Sequence, residues 1–310
     1  MSAEAAFIES LRALATSAAA RGLADDAAVL EVGGATLVLT HDMIAEGVHF
    51  LPEDPPGGVA WKLLAVNLSD LAAKGARPLG VLLGFTLGDE DWDRSFAGGF
   101  GLALRAFDVP LLGGDTVAGP RVLGLTAIGE ATGPVPSRSG ARPGDHLWVS
   151  GTIGDAGAGL RALKGELPRD AALVERYRNP RPRLEGGQRL APLVTAMMDV
   201  SDGLLIDATR MAEASAVGFD IDLAFLPLSE ALRATAGEDR QARLAAATAG
   251  DDYELLFTAP PERASEVLSI SEAIGLPLSR IGDAAEGTGL RLSDDGAPVA
   301  LPEHLGWQHG

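Results

Sequence analysis

The chain has 310 residues, of which 46% are hydrophobic and 22% charged, ordinary usage for one large or two average globular domains, so a mainly disordered chain is excluded. It contains no cysteine, which excludes disulfides, thiolate metal sites and cysteine nucleophiles. Its 25 Lys and Arg against 43 Asp and Glu give a net charge of −18, which disfavours binding to nucleic acid or to an anionic membrane surface.

The N-terminal segment predicts a surface helix. Apolar residues between positions 7 and 14 recur with helical spacing, and Glu4 and Glu9 precede the first arginine, unlike the basic start of a signal peptide. No apolar run approaches the roughly 20 residues that a membrane-spanning helix needs. We therefore expect a cytoplasmic protein without a membrane partner.

Strands and helices are both predicted up to residue 130. The runs at 28–31 and 36–40 flank Gly33-Gly34, a pair suited to a hairpin turn because glycine accepts a positive φ. A buried helix is predicted over residues 59–74, ending at Gly75. Strands over 79–87, 109–112 and 122–130, with a helix over 91–107 between the first two, complete this half.

A connector rich in Pro, Gly and Ser divides the chain. It spans residues 133–144, and this composition is typical of a boundary between packed units. The predicted domains are 1–137 and 138–310. In the second half, strands over 146–150, 196–200, 219–223 and 253–259 alternate with helices over 155–164, 204–214 and 262–273. The predicted fold class is α/β, in the broad sense of mixed α+β, with a layered second domain.

Carboxylates cluster at six points where apolar runs end or glycines occur. Oxygen ligands of this kind suit Mg²⁺, which keeps several waters and completes its shell with substrate phosphates. Taken singly, each aspartate could instead cap a helix or begin a turn. Together they favour a metal-assisted site, and they lie in residues 25–26, 40–42, 67–70, 113–116, 199–203 and 250–252.

Two of these segments allow a structural alternative. Asn67, Asp70 and Lys74 form a polar stripe on an otherwise apolar helix, where Asp70 either binds a cation or pairs with Lys74. In residues 113–116, two glycines allow main-chain N–H groups to approach an anion, and Asp115 offers oxygens to a cation. An ordinary tight turn fits that segment equally well.

The glycine-rich run at residues 151–159 follows a predicted strand and opens a helix, as phosphate-binding loops do. It lacks the Gly-Lys-Ser/Thr ending of a Walker loop, so close packing of small residues is the favoured interpretation. An acidic chain can hold phosphates through cations, and phosphoryl transfer requires mainly alignment and charge neutralisation. Arg138 and Arg142 either donate to a phosphate or belong to a solvated linker.

Seven strings of residues resemble the thiamine-monophosphate kinases of the aminoimidazole-ribonucleotide-synthetase-like superfamily. They cover nearly the whole chain: DDAAV (25–29), DMIAEGVHF (42–50), AVNLSDLAAKGA (65–76), LGGDT (112–116), RSGARPGD (138–145), DVSDGL (199–204) and GDDYEL (250–255). The resemblance implies two α/β domains, the first pairing in a homodimer. It also implies direct transfer of the γ-phosphate of ATP to thiamine monophosphate, the final step of thiamine diphosphate biosynthesis, with several Mg²⁺ ions and no phosphoenzyme.

By position, the resemblance implies three sets of contacts. The metal positions are Asp26, Thr40, His41, Asp42, Asp70, Asp115, Asp199 and Asp202. The ATP contacts are Gly114, Asp115, Arg138 and Ser201. The contacts to thiamine phosphate are His49, Asp251 and Trp307.

Two of these positions, and the residue before the paired aspartates, need comment. An indole face attracts a cation such as the thiazolium ring, although Trp307 could also be an apolar plug for the C-terminal tail. His41 stands where the family commonly has a hydroxyl, and imidazole is softer than Mg²⁺ prefers, so a side-chain contact, a main-chain contact and no contact all stay open. Ala24 replaces a usual glycine. No general base is implied, because the attacking phosphate oxygen is already ionised near pH 7.

Other functions are weighed against this one. Selenophosphate synthetases and hydrogenase-maturation dehydratases of the same superfamily need cysteine or selenocysteine, which this chain lacks. Aminoimidazole ribonucleotide synthetase stays an alternative because it shares the fold and the use of ATP. A non-catalytic nucleotide- or Mg²⁺-binding regulator is a second alternative. An acidic Ca²⁺ buffer is a third, which the lack of a Ca²⁺ loop pattern disfavours.

Overall fold

The computed structural model describes residues 3–308 and contains two β-sheets with helices packed on them. The helices are Ala3–Arg12 (α1), Pro56–Ala73 (α2), Glu90–Ala106 (α3), Asp155–Leu163 (α4), Ala171–Arg178 (α5), Leu184–Leu190 (α6), Leu204–Ser215 (α7), Glu230–Ala236 (α8), Arg240–Ala247 (α9) and Ala264–Ile274 (α10). The strands are Ala28–Val32 (β1), Ala35–Ala45 (β2), Arg77–Leu87 (β3), Leu111–Ala118 (β4), Val122–Ala131 (β5), His146–Ser150 (β6), Ala196–Val200 (β7), Gly218–Asp222 (β8), Glu254–Ala259 (β9), Leu278–Ala285 (β10), Gly289–Asp294 (β11) and Ala297–Val299 (β12). The mixed α/β fold class is confirmed.

The first sheet has five strands in the order β1-β2-β5-β3-β4. The predicted hairpin is confirmed: Gly33 and Gly34 have φ values of 60° and 87° and join β1 to β2, as a tight hairpin turn requires. Helix α2 packs on β2 and β5 and also contacts α6 and β7 of the second half. Because it is covered on both sides, α2 is apolar around most of its circumference, and its few polar residues are buried.

The prediction for residues 109–116 is corrected in part. The strand predicted at 109–112 begins at Leu111 and continues to Ala118, so the tight turn that was one interpretation of residues 113–116 is not formed. This strand, β4, pairs in parallel with β3 at the edge of the sheet. A Cβ at Gly114 would lie 2.0 Å from the main-chain oxygen of Leu83, so this glycine permits the close approach of two strands. All eight residues of β4 are exposed.

The second sheet has seven strands in the order β12-β11-β8-β10-β6-β9-β7. The strands and helices predicted for this half are present within one or two residues, but α5, α6, α8, α9 and β10–β12 were not predicted. Close packing explains the glycine-rich run, as expected. A Cβ at Gly157 would lie 2.4 Å from the Cβ of Ala249, and one at Gly159 would lie 2.1 Å from the oxygen of Leu173.

None of the helices within residues 3–308 is long and apolar enough to cross a lipid bilayer.

Candidate active site

Polar side chains of α2 meet both sheets at the centre of the molecule. The Thr40 hydroxyl on β2 donates to Asp70 on α2. One turn earlier, the Asn67 side-chain oxygen accepts a hydrogen bond from the Asp42 main-chain N–H at 2.9 Å. The neighbouring hydroxyl of Ser69 donates to Asp199 Oδ2 at the end of β7, at 2.6 Å. Helix α2 thus brings carboxylates from both halves of the chain to one place.

Lys74 is the buried counter-charge of the paired aspartates before β1. Its ammonium is fully buried, lies 2.8 Å from Asp26 Oδ2 and also bonds Asp25. The main-chain oxygen of Met197 accepts a further hydrogen bond from Lys74 at 3.2 Å. The pairing of Lys74 with Asp70, which the sequence left open, is therefore not formed. The negative charge of Asp70 is therefore not compensated by direct contact with Lys74.

Arg138, in the connector, reaches Asp26 from the other side and bonds its Oδ1. Burial by itself raises the pKa of Asp26, but the charges of Lys74 and Arg138 outweigh it and lower the pKa to about 2. The Nε of Arg138 is buried and has no hydrogen-bond partner among the described residues. This guanidinium therefore retains an unused donor beside the carboxylates.

The carboxylates of Asp42, Asp70 and Asp199 form no ion pair with a Lys or Arg among the described residues. Burial is the largest cause that raises the pKa of Asp42, to about 6; the charge of His41 lowers it, and the negative charges of Asp26 and Asp202 raise it further. Burial and neighbouring carboxylates also raise the pKa values of Asp70 and Asp199 well above the usual range. A cation bound between these groups would favour their ionised forms and so oppose all three shifts.

The oxygen donors of this cluster suit a Mg²⁺ ion that also keeps waters and substrate ligands. They do not form a site in which the protein supplies every ligand. In the part of the chain that the structure describes, no three His, Asp or Glu side chains are grouped closely enough to hold a metal alone. Mg²⁺ usually takes one or two protein carboxylates, several waters and substrate phosphates. Mutually repelling carboxylates supplied by separate elements match that demand.

The turn after β7 is organised by an aspartate that the sequence analysis missed. The main-chain N–H groups of Ser201 and Asp202 both donate to Asp207 Oδ2 at 3.1 Å. Arg210 bridges Asp202 and Asp207 at 2.6 and 2.7 Å. Asp207 lies in the first turn of α7, and its effect is to fix the loop that carries two predicted site residues.

The three predicted substrate contacts lie near this loop or are bonded to a common lysine. Lys62 Nζ donates to the His49 main-chain oxygen at 2.9 Å and to Asp251 Oδ2 at 2.8 Å. The main-chain N–H of Trp307 donates to the Asp202 oxygen at 2.8 Å. The half-exposed indole lines a cavity of about 350 Å³ beside α4 and α9. The structure therefore connects all three to the region of the cluster.

Three predicted site residues contribute no side chain to the cluster within one chain. Asp42 aligns with Leu125, Leu83 and Gly114 across the first sheet, so β4 lies three strand spacings, about 14 Å, from Asp42. Asp115 and Gly114 are consequently remote from the other carboxylates. The ring of His41 bonds Thr126 at 2.9 Å and is exposed, on the opposite sheet face to Thr40 and Asp42.

Known proteins match both halves of the chain. The protein-family model described as AIR synthase related protein, N-terminal domain, matches residues 24–131. The family model of the corresponding C-terminal domain matches residues 142–295. The thiamine-monophosphate kinase of Caulobacter vibrioides is 43% identical over 299 residues, covering 93% of this chain and 85% of that protein. The chain belongs to the thiamine-monophosphate kinase family.

Two further comparisons agree with this membership of the thiamine-monophosphate kinase family. The Escherichia coli K12 enzyme of that name is 41% identical over 298 residues, covering 93% of this chain and 91% of that protein. A solved structure described as AaThiL complexed with AMPPCP and TMP has a TM-score of 0.85 and 32% identity, and the match covers 98% of this chain and 96% of that one. The fold of this chain is therefore shared with a ligand-bound member of the family.

Proposed function

We propose that this chain is an ATP-dependent thiamine-monophosphate kinase, which transfers the γ-phosphate of ATP to the phosphate of thiamine monophosphate. The products are thiamine diphosphate and ADP. The observation that carries the proposal is the cluster of carboxylates with raised pKa values beside Arg138, in a member of this family. A cluster of this kind accepts cations, and cations are what two mutually repelling phosphates require.

Mg²⁺ is proposed as the cation. When bound, it would neutralise the phosphates and hold them in line. Thr40 and the carboxylates of the cluster would hold it, and His41 would contribute its main-chain carbonyl because its ring bonds Thr126. Support comes from the pKa shifts of Asp42, Asp70 and Asp199. The proposed ligands are Asp26, Thr40, His41, Asp42, Asp70, Asp115, Asp199 and Asp202.

The chain's own residues would bind and orient the two substrates. We assign ATP to Gly114, Asp115, Arg138 and Ser201, with Arg138 offering its unused Nε–H to a phosphate oxygen. We assign thiamine phosphate to His49, Asp251 and Trp307, with the negative Asp251 and the half-exposed indole of Trp307 attracting the thiazolium cation. No side chain is assigned as a general base, since the attacking phosphate oxygen is already ionised near pH 7.

The enzyme is proposed to act as a homodimer through its first sheet. Asp115 lies about 14 Å from Asp42 within one chain, as the strand register requires, so a site that uses both needs β4 of a second chain. Strand β4 is an exposed edge that includes Leu111, Leu112 and Val117, and such edges are prone to pair. The exposed face of this sheet also carries Met43 and Leu82.

The boundary of the two domains is proposed at 137/138. It is supported by the two separate sheets, within residues 28–131 and 146–299. We also propose that the enzyme works in the cytoplasm, where the ATP that it consumes is supplied.

The test is incubation of the purified chain with ATP, Mg²⁺ and thiamine monophosphate, with products separated by chromatography. Equal amounts of thiamine diphosphate and ADP, abolished by EDTA, are expected. ADP and free phosphate without thiamine diphosphate would instead favour a synthetase such as the aminoimidazole ribonucleotide enzyme. Binding of ATP without turnover would favour a regulator, and Ca²⁺ binding without nucleotide affinity would favour a buffer.

A further inference from the structure

Lys62 is a buried cation with three partners from three separate segments. It belongs to α2, and its side chain is only 3% exposed. Its Nζ donates to the His49 main-chain oxygen after β2 and to Asp251 Oδ2 before β9. The ring centroid of Tyr177, on α5, lies 4.0 Å from the same nitrogen, a favourable distance for a cation over an aromatic face.

These partners leave Lys62 no proton for a substrate. An ammonium group has three N–H donors. Two are directed at His49 and Asp251, and the third side of the nitrogen faces the ring of Tyr177. The contacts of Lys62 are therefore with the groups that it holds, and a direct hydrogen bond from it to a substrate is not available.

One of those groups has an uncommon backbone conformation. Asp251 has φ 71°, in the left-handed region that non-glycine residues adopt rarely, although aspartate enters it more readily than most. Its main-chain N–H donates to the Ser201 oxygen at 2.7 Å, and its Oδ1 accepts from the Tyr253 hydroxyl at 3.2 Å. Lys62 holds the remaining carboxylate oxygen, while a quarter of the Asp251 side chain stays exposed.

We infer that Lys62 is a positioning residue for thiamine monophosphate. It holds the Asp251 carboxylate and the His49 main chain in a fixed relation, so that both face the substrate without rearrangement. This inference rests on the proposed function, which assigns His49 and Asp251 to the substrate. It predicts that loss of Lys62 affects the thiamine substrate and leaves ATP binding unchanged.

The test compares Lys62→Met with Arg178→Met, using steady-state kinetics with each substrate varied in turn. The control removes another cation from a partly buried ion pair: Arg178, whose side chain is 23% exposed, lies 2.8 Å from the buried Asp54, between α5 and the segment before α2. For Lys62→Met, kcat/KM for thiamine monophosphate should fall about tenfold to a hundredfold, as loss of a charged hydrogen bond implies. Its KM for ATP should stay within about twofold of the parent value.

A double variant shows whether the effect passes through Asp251. The loss in Lys62→Met/Asp251→Asn should equal that of the worse single variant instead of the product of the two. If Lys62→Met does not fold, Lys62→Arg replaces it, because a planar guanidinium keeps the charge but not the compact three-donor geometry. The same selective loss, of smaller size, is then expected.

Three results would overturn the inference while the parent enzyme remains active. The first is a parental kcat/KM for thiamine monophosphate in the Lys62 variant. The second is an equal loss in Arg178→Met, and the third is an equal rise in KM for both substrates; a structural role alone explains either of these. A parent chain that forms no thiamine diphosphate would instead refute the proposed function, and the inference with it.

Discussion

Replacing Asp42 by Asn should stabilise the metal-free protein while removing its activity. Burial, against the opposing charge of His41 and with the added charges of Asp26 and Asp202, raises the pKa of Asp42 to about 6. The main-chain N–H of Asp42 donates a hydrogen bond to the side chain of Asn67. The Asp42→Asn variant keeps this bond, because the substitution does not change the main chain. The substitution therefore removes an unfavourable charge and a proposed Mg²⁺ ligand together.

The size and the pH dependence follow from the two pKa values. The carboxyl group has a pKa of 3.8 as a free group and about 6 in the folded chain, so ionisation costs the folded state about 3 kcal/mol at 1.36 kcal/mol per pH unit. Because the folded pKa is the higher one, this cost is absent below pH 3.8 and complete above pH 6. At about 2.1 cal/mol/K of unfolding entropy per residue over 310 residues, it corresponds to a rise in Tm of roughly 5 °C for Asp42→Asn.

Thermal unfolding in EDTA at pH 4 and at pH 7.5 measures this effect. The variant should exceed the parent in Tm at pH 7.5 and lie within about 1 °C of it at pH 4, while its turnover with excess Mg²⁺ should be lost. Asp91→Asn, at a side chain that is 89% exposed, is the control and should change neither quantity. A less stable Asp42→Asn protein at pH 7.5, or turnover near the parent value, would contradict the account of this cluster.

Three further substitutions test other parts of the structure. Lys74→Met leaves Asp25 and Asp26 without their buried ammonium and should lower the free energy of unfolding by about 3–5 kcal/mol in urea titrations; a loss below 1 kcal/mol would show that the pair is not needed. Gly114→Ala should displace β4 from β3, since its Cβ would lie 2.0 Å from the Leu83 oxygen. Sedimentation should then show a shift of the chain from dimer to monomer, and an unchanged dimer would argue against pairing through this edge. Trp307→Ala should raise KM for thiamine monophosphate about tenfold through loss of a cation–π contact, and an unchanged KM in the same kinetic assay would leave the indole as a plug for the tail.

Local sequence patterns predict elements well when the local signal and the packing agree. Gly33-Gly34 between two apolar runs correctly predicts the β1–β2 hairpin. Both glycines adopt the positive φ that a tight hairpin turn requires. Gly113-Gly114 looks like a turn by the same logic but lies inside β4. There the glycine serves a close contact between strands, which no local pattern distinguishes from a turn.

The candidate site shows the same limit in three dimensions. The types and spacing of Asp70, Asp199 and Asp202 indicate metal chemistry, but the sequence could not decide whether Lys74 bonds Asp70 or, as the structure has it, Asp25 and Asp26. That choice depends on where the segment before β1 packs against α2. A lysine at position 62 within the apolar residues of a buried helix was an available signal, because a buried ammonium needs partners.

The stereochemical course of the reaction tests the central claim, direct in-line transfer between the two substrates, most directly. ATP made chiral at the γ-phosphorus with oxygen isotopes is converted in a single turnover, and the configuration of the labelled phosphorus in thiamine diphosphate is determined. One in-line transfer predicts inversion. Retention of configuration, as two successive transfers through a phosphoenzyme would give, or the absence of labelled thiamine diphosphate, would contradict the account.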